Sequence, residues 1–209
     1  MSLQRLIPWL VVLLPVSVAG MAYGGHGHRL WLVIMAAALY SMTVIVAAIS
    51  ANAPYWTKTL QAGDPTGNPS SEAVAMLCRN IRLMAISYAW GGFAMQALYT
   101  TPLTGLKWQH GWQYAAIMAL LSVGAFLFAR LLEDQRPVMR RWLLAMAVPL
   151  AIGHALMAAG GLVFLAASGK LLLRKSDWAA NQVFLFGALT IMILAAVTLR
   201  THARLTRQQ

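Results

Sequence analysis

Acidic residues are scarce in this chain: five Asp and Glu stand against sixteen Lys and Arg in 209 residues, a formal net charge of +11. The five are Asp64, Glu72, Glu133, Asp134 and Asp177, and each falls in a loop or at the edge of an apolar run. With no carboxylate in the middle of an apolar segment, the sequence argues against the common carboxylate-dependent kind of proton or sodium coupling. Paired carboxylates are likewise missing as an acid/base device. Cysteine is almost absent: the single Cys78 excludes a disulfide framework, a CxxC redox pair and a thiolate metal cluster. GxSxG, HExxH and phosphate-binding loops are missing too. Ser41, Ser87 and Ser122 find no imidazole at their own depth, apart from Ser41 with His154, so the balance leans away from an enzyme.

What is present is apolar. The chain is 60% hydrophobic and only 10% charged, whereas roughly a quarter of the residues of a soluble domain carry charge. Six apolar runs cover approximately residues 6–23, 30–51, 81–99, 114–129, 142–167 and 179–199. Crossing roughly 30 Å of hydrocarbon takes about 20 helical residues, and backbone groups in lipid must be satisfied within the segment. The expected fold is therefore all-α: one polytopic domain over residues 1–209, a bundle of six transmembrane helices. The stretch between the second and third runs is the one real loop, rich in Gly, Pro, Asn and Ser. Ser70 or Ser71 is placed to cap a helix that starts near Glu72 and enters the membrane at about Ile81.

Basic residues set the orientation. Eleven Lys and Arg fall on the side that holds both termini and five on the other, which predicts both termini in the cytoplasm of a bacterial-type inner membrane. Arg5 followed by "LIPWLVVLLPVSVAG" also resembles a signal peptide. The run is long for one, and its removal would spoil the charge split, so it is read as a span. The positive charge is assigned to anionic lipid at the cytoplasmic surface and not to nucleic acid. Arg136, Arg140 and Arg141 in "RPVMRRW" are the expected headgroup contacts. Trp31, Trp108 with Trp112, and Trp178 open the returning helices, which suggests three hairpins and also fits the ordinary preference of Trp for interfaces.

Polar groups at membrane depth mark candidate sites. His154, in "PLAIGHALMAAGG", is the one titratable group expected there. It lies near a small-residue seam of Ala147, Ala151, Ala158 and Gly161, of the kind that lets helices approach closely. Pro149 cannot donate to the Ala145 carbonyl and is expected to bend the helix. At about 1.5 Å of rise per residue, counting from the inner ends of the spans sets Phe93 to Gln96, Tyr40, Ser41 and Thr190 level with His154. Tyr40, Ser41, Gln96, His154 and Thr190 then form one polar layer, either helix-to-helix glue or the lining of a path or pocket. Gln96 shares a face of its helix with Tyr88, Gly92 and Tyr99. The pairs Gly20 with Gly24 and Gly91 with Gly92 read as close helix contacts.

At the opposite face, "GGHGHRLW" supplies His26 and His28, and "KWQHGW" supplies His110. With Met21 or Met95 nearby in sequence, these imidazoles suit copper or zinc. A turn carrying interfacial histidines is the simpler account. Bis-histidine haem needs two imidazoles at matching depth, and only His154 qualifies. The leading expectation is transport or permeation of a small neutral solute or a metal ion, with His154 and Gln96 at the midplane. The alternative is an accessory or assembly subunit that binds partner membrane helices or a second copy. A His-centred haem protein or membrane enzyme comes third.

Overall fold

A computed structural model describes residues 3–57, 71–99, 108–134, 137–169 and 178–206. They form six helices in chain order: α1 (Leu3–His26), α2 (Leu30–Thr57), α3 (Ser71–Tyr99), α4 (Trp108–Asp134), α5 (Pro137–Ala167) and α6 (Trp178–Thr206), with no strand among the described residues. Among the described residues, four segments are long and apolar enough to cross a membrane, Leu30–Ala53, Trp112–Asp134, Arg140–Ala167 and Trp178–Ala203, and α1 and α3 are not among them. The chain therefore has the make-up of a multi-pass membrane protein. The helices outrun the apolar runs at most of their ends, because polar and charged residues continue a helix where it leaves the apolar layer.

Successive helices pack as antiparallel hairpins, α1 with α2, α3 with α4 and α5 with α6. The first turns on Gly27, His28 and Arg29, where the Arg29 amide donates to the Gly24 carbonyl at 2.7 Å and His28 takes a positive φ of 52°. Gly24 is needed here, since a Cβ would stand 3.0 Å from Leu32 Cβ and 3.1 Å from the Arg29 oxygen. The centre of the bundle is α3 against α6, with α1 and α4 also on α3 and with α2 and α5 also on α6.

This arrangement explains why α3 is the more polar helix. Protein covers it on several sides, and Phe93 is its one large apolar side chain left exposed among the described residues. Its Asn80 and Ser87 are buried and its Gln96 half-buried, and a helix with covered sides need not be apolar all round. By contrast, α2 buries Val33, Ala37, Tyr40, Val44 and Ala47 and exposes Trp31, Met35, Leu39, Met42 and Val46. Both stripes follow the spacing of three and four that puts residues on one helical face. The seam Ala147, Ala151 and Ala158 is buried as its spacing predicts, and a Cβ on Gly161 would meet the Phe184 ring at 2.6 Å. Helix α5 runs unbroken through Pro149.

Two polar knots tie the helices together. Near the end where α2 and α6 finish, the side-chain amides of Asn52 and Asn80 bond reciprocally at 2.9 and 3.1 Å, and the Thr201 hydroxyl donates to Asn52 Oδ1 at 2.8 Å. All three are buried, so α2, α3 and α6 are held by groups with no access to water. In the core, Trp90 Nε1 donates to Ser17 Oγ at 3.0 Å while its ring stacks on Tyr40 at 4.6 Å between centroids. Closer to the surface, Arg82 of α3 pairs with Glu133 of α4, and Arg140 of α5 donates to the Glu133 carbonyl at 3.1 Å.

Gly92 sets the approach of α3 to α4: a Cβ there would lie 3.1 Å from Met118 Cβ and 3.5 Å from the Ala115 backbone. Neither neighbour is the movable end of a side chain. Gly92→Leu is therefore expected to destabilise the protein by about 1–3 kcal/mol, the usual cost of overpacking. Gly124, with nothing within 4 Å of its Cβ position, is expected to accept alanine with no loss. Thermal denaturation in detergent distinguishes the two.

Candidate functional site

Gly91 and Gly92 are neighbours with opposite roles. Where Gly92 touches α4, Gly91 has nothing within 4 Å of its Cβ position. The missing side chain leaves part of a cavity of about 90 Å³ bounded by α3, α4, α5 and α6. A second glycine, Gly187 of α6, lines the other side. The cavity exists because α4 packs chiefly on α3 and α5 chiefly on α6, with little contact between α4 and α5 themselves. Ala129 and Leu132 of α4 and Leu144 of α5 belong to one buried cluster near the ends of α4 and α5 that adjoin in sequence.

The walls are mostly apolar, from Met95, Met118, Met157, Phe184 and Ile191 among others, and the polar side chains among them are Ser87, Tyr88, Tyr114 and His154. His154 of α5 and Tyr88 of α3 both line the cavity, their ring centroids 5.4 Å apart and tilted by 46°. His154 Nδ1 lies 2.6 Å from the Leu150 carbonyl oxygen one turn back on its own helix. A carbonyl only accepts, so Nδ1 carries a hydrogen, and in the tautomer with that single hydrogen Nε2 is the acceptor. The Tyr88 side chain is 4% exposed and its hydroxyl is buried with no hydrogen-bond partner. Burying a hydroxyl without a partner costs roughly 1–3 kcal/mol in proteins. The site thus holds the unused Tyr88 hydroxyl beside His154 and Tyr114, on walls that are otherwise mostly apolar. Ser87, also at the cavity, already donates to the Leu83 carbonyl at 2.9 Å.

Of the five residues expected at one polar level, His154 lines this cavity and the other four stand apart from it. Tyr40 lies in the core against Trp90, its hydroxyl buried and unpartnered, as is Ser41 Oγ. Thr190 turns its hydroxyl back to the Phe186 carbonyl at 2.8 Å. Gln96 is half-buried, with Oε1 shut away from solvent and unpartnered. No hydrogen bond joins any two of these five among the described residues. His154 instead meets Tyr88, which shares the helical face of Gln96 two turns earlier.

The remaining candidates lie at the two ends. His26 and His28 are exposed on the α1–α2 turn, and the His110 side chain lies outside the described residues. No group of three or more His, Cys, Asp or Glu side chains is placed to hold a metal among the described residues. Arg136 is also outside them; Arg140 is half-buried and bound to Glu133, and Arg141 is exposed beside the exposed Trp142. His202, which the sequence leaves unremarked, places Nε2 2.9 Å from the Leu144 carbonyl and so joins α6 to α5.

No protein-family model, curated protein or solved structure matches this chain.

Proposed function

We propose that this is a six-span protein of a bacterial-type inner membrane, with both termini cytoplasmic, which takes a small, largely apolar molecule from the bilayer into the α3–α6 cavity. Binding there is the central step of a transport or permeation function. The observation that carries the reading is the buried, unpartnered hydroxyl of Tyr88, whose ring meets His154 at a mostly apolar cavity. Six crossings are supported by the hairpins: α1 lies antiparallel to α2 across a three-residue turn, and α3 lies antiparallel to α4. A helix so closely paired with a spanning partner occupies the same slab. The eleven-to-five division of basic residues supports the orientation. Entry from lipid is supported by the sparse contact between α4 and α5 and by Met157, a wall residue that is 50% exposed on an outward side of α5.

A small photoactivatable probe, 3-trifluoromethyl-3-phenyldiazirine, tests this in reconstituted vesicles. Expected is labelling of Tyr88 and Met95, both buried from lipid, at several times the level found on lipid-facing Leu120. Labelling confined to lipid-facing side chains would refute the pocket.

A second reading, as an accessory subunit, is favoured by Gly153 and Gly160. They sit one heptad apart on α5, both exposed, with nothing within 4 Å of their Cβ positions. Such a face admits a partner membrane helix at short range. A companion protein that co-purifies with the wild type in mild detergent and is lost on Gly153→Leu would support it. At the cytoplasmic surface we assign Arg140, Arg141 and Trp142 to contact with anionic headgroups.

A further inference from the structure

We propose that the ligand of the cavity carries an aromatic hydroxyl, a phenol or hydroquinone ring, whose oxygen accepts from the Tyr88 hydroxyl and whose hydrogen is donated to His154 Nε2. This rests on the reading of the cavity as a ligand site and gives that ligand its chemistry.

The argument begins with what the two polar groups lack. Tyr88 and His154 are close enough for ring contact at 5.4 Å, yet the Tyr88 hydroxyl has no partner. The neighbouring imidazole already uses Nδ1 on the Leu150 carbonyl. Tyr114 also lines the cavity, and beside it Tyr88 offers a donor and His154 an acceptor that do not satisfy each other. A carbonyl ligand would use only the donor, and an amine cation would meet no negative charge, since no carboxylate lines the cavity. A single hydroxyl satisfies both at once, because it accepts and donates through the same oxygen.

The walls choose what carries the hydroxyl. Three thioethers, Met95, Met118 and Met157, come from three different helices, and the Phe184 ring from a fourth. Thioether sulfur makes favourable contact with aromatic rings, often at the ring edge, and aromatic pairs add a further preference over aliphatic contact. A cavity of about 90 Å³ is on the scale of one ring, with any substituent directed into the gap between α4 and α5.

Three fluorinated ligands in lipid nanodiscs test the proposal by ¹⁹F NMR: 4-fluorophenol, fluorobenzene and 4-fluorocyclohexanol with the wild type, each corrected for partition into empty discs, and the first two also with variants. Expected is saturable binding of 4-fluorophenol about tenfold tighter than fluorobenzene, the size of one to two net hydrogen bonds. In Tyr88→Phe and in His154→Leu that preference shrinks to twofold or less, with fluorobenzene in the same sample as the internal reference. Binding of fluorobenzene with no gain from the hydroxyl would overturn this inference and leave the pocket standing. Equal binding of 4-fluorocyclohexanol would overturn the aromatic part. Absence of saturable binding by any of the three would remove the pocket itself.

Discussion

Asn52→Leu lowers the unfolding free energy by about 2–4 kcal/mol, the largest loss expected from any single polar substitution in this chain. The magnitude follows from what is stranded. Asn52 holds both amide bonds to Asn80 and accepts from Thr201. Three interhelical bonds in a membrane protein, at an average of roughly 0.6 kcal/mol each, would account for about 2 kcal/mol. The Asn80 amide and the Thr201 hydroxyl then stay behind, buried and unpaired, which adds to the loss. Thr201→Val, by comparison, removes one bond and leaves Asn52 and Asn80 satisfied by each other, for a cost of about 0.5–1 kcal/mol. The double variant Asn52→Leu, Asn80→Leu is expected to be more stable than Asn52→Leu alone, because it removes the stranded partner. Equilibrium unfolding in mixed detergent measures all three, and a double variant as weak as the sum of its singles would contradict the account.

Gly91→Leu abolishes ligand binding and leaves the fold intact. The Cβ position of Gly91 has nothing within 4 Å and opens into the cavity, so the new side chain occupies the space a ligand would use. Replacing a helical glycine also contributes about 1 kcal/mol of stability, so the melting temperature is expected to hold or rise. Filling a cavity of about 90 Å³ leaves no room for a ring, and affinity for an apolar probe is expected to fall at least roughly a hundredfold, close to 3 kcal/mol. The contrast with Gly92→Leu one position away, which destabilises the protein and tests packing alone, separates occupation of the cavity from damage to the helix. Unchanged probe binding in a stable Gly91→Leu protein would place the ligand elsewhere.

Much of the architecture is legible without coordinates, because lipid imposes simple rules. Run length gave the helices, and the spacing of Ala147, Ala151 and Ala158 gave the seam of α5. The small residues at Gly24 and Gly92 gave two close contacts. The asparagine knot was hidden for a definite reason. Asn52 and Asn80 each lie one residue outside an apolar run cut at its first polar residue, so both fell into the flanks when they belong to the buried core.

Depth matching was blurred in the same way. Counting α3 from Ile81 brings Phe93 to Gln96 level with His154, yet Tyr88 is the residue beside it. Arg79 and Arg82 stand at the start of that run, but Arg82 is paired with Glu133, and α3 is already packed at Val74, Leu77 and Cys78. A charge neutralised by a neighbouring helix does not mark where lipid ends. The cavity itself had no signature in the sequence, since one glycine of the pair at 91 and 92 makes a contact and the other makes a space.

The location of the cavity between the leaflets depends on six crossings with both chain ends inside. Single-cysteine accessibility tests that directly, in a Cys78→Ala background that removes the buried native thiol. A membrane-impermeant maleimide applied to intact spheroplasts is expected to label His28→Cys, on the exposed α1–α2 turn, and to leave Gln208→Cys unlabelled until the membrane is permeabilised. Labelling of Gln208→Cys from outside, or of both positions alike, would contradict the threading and take the cavity out of the bilayer.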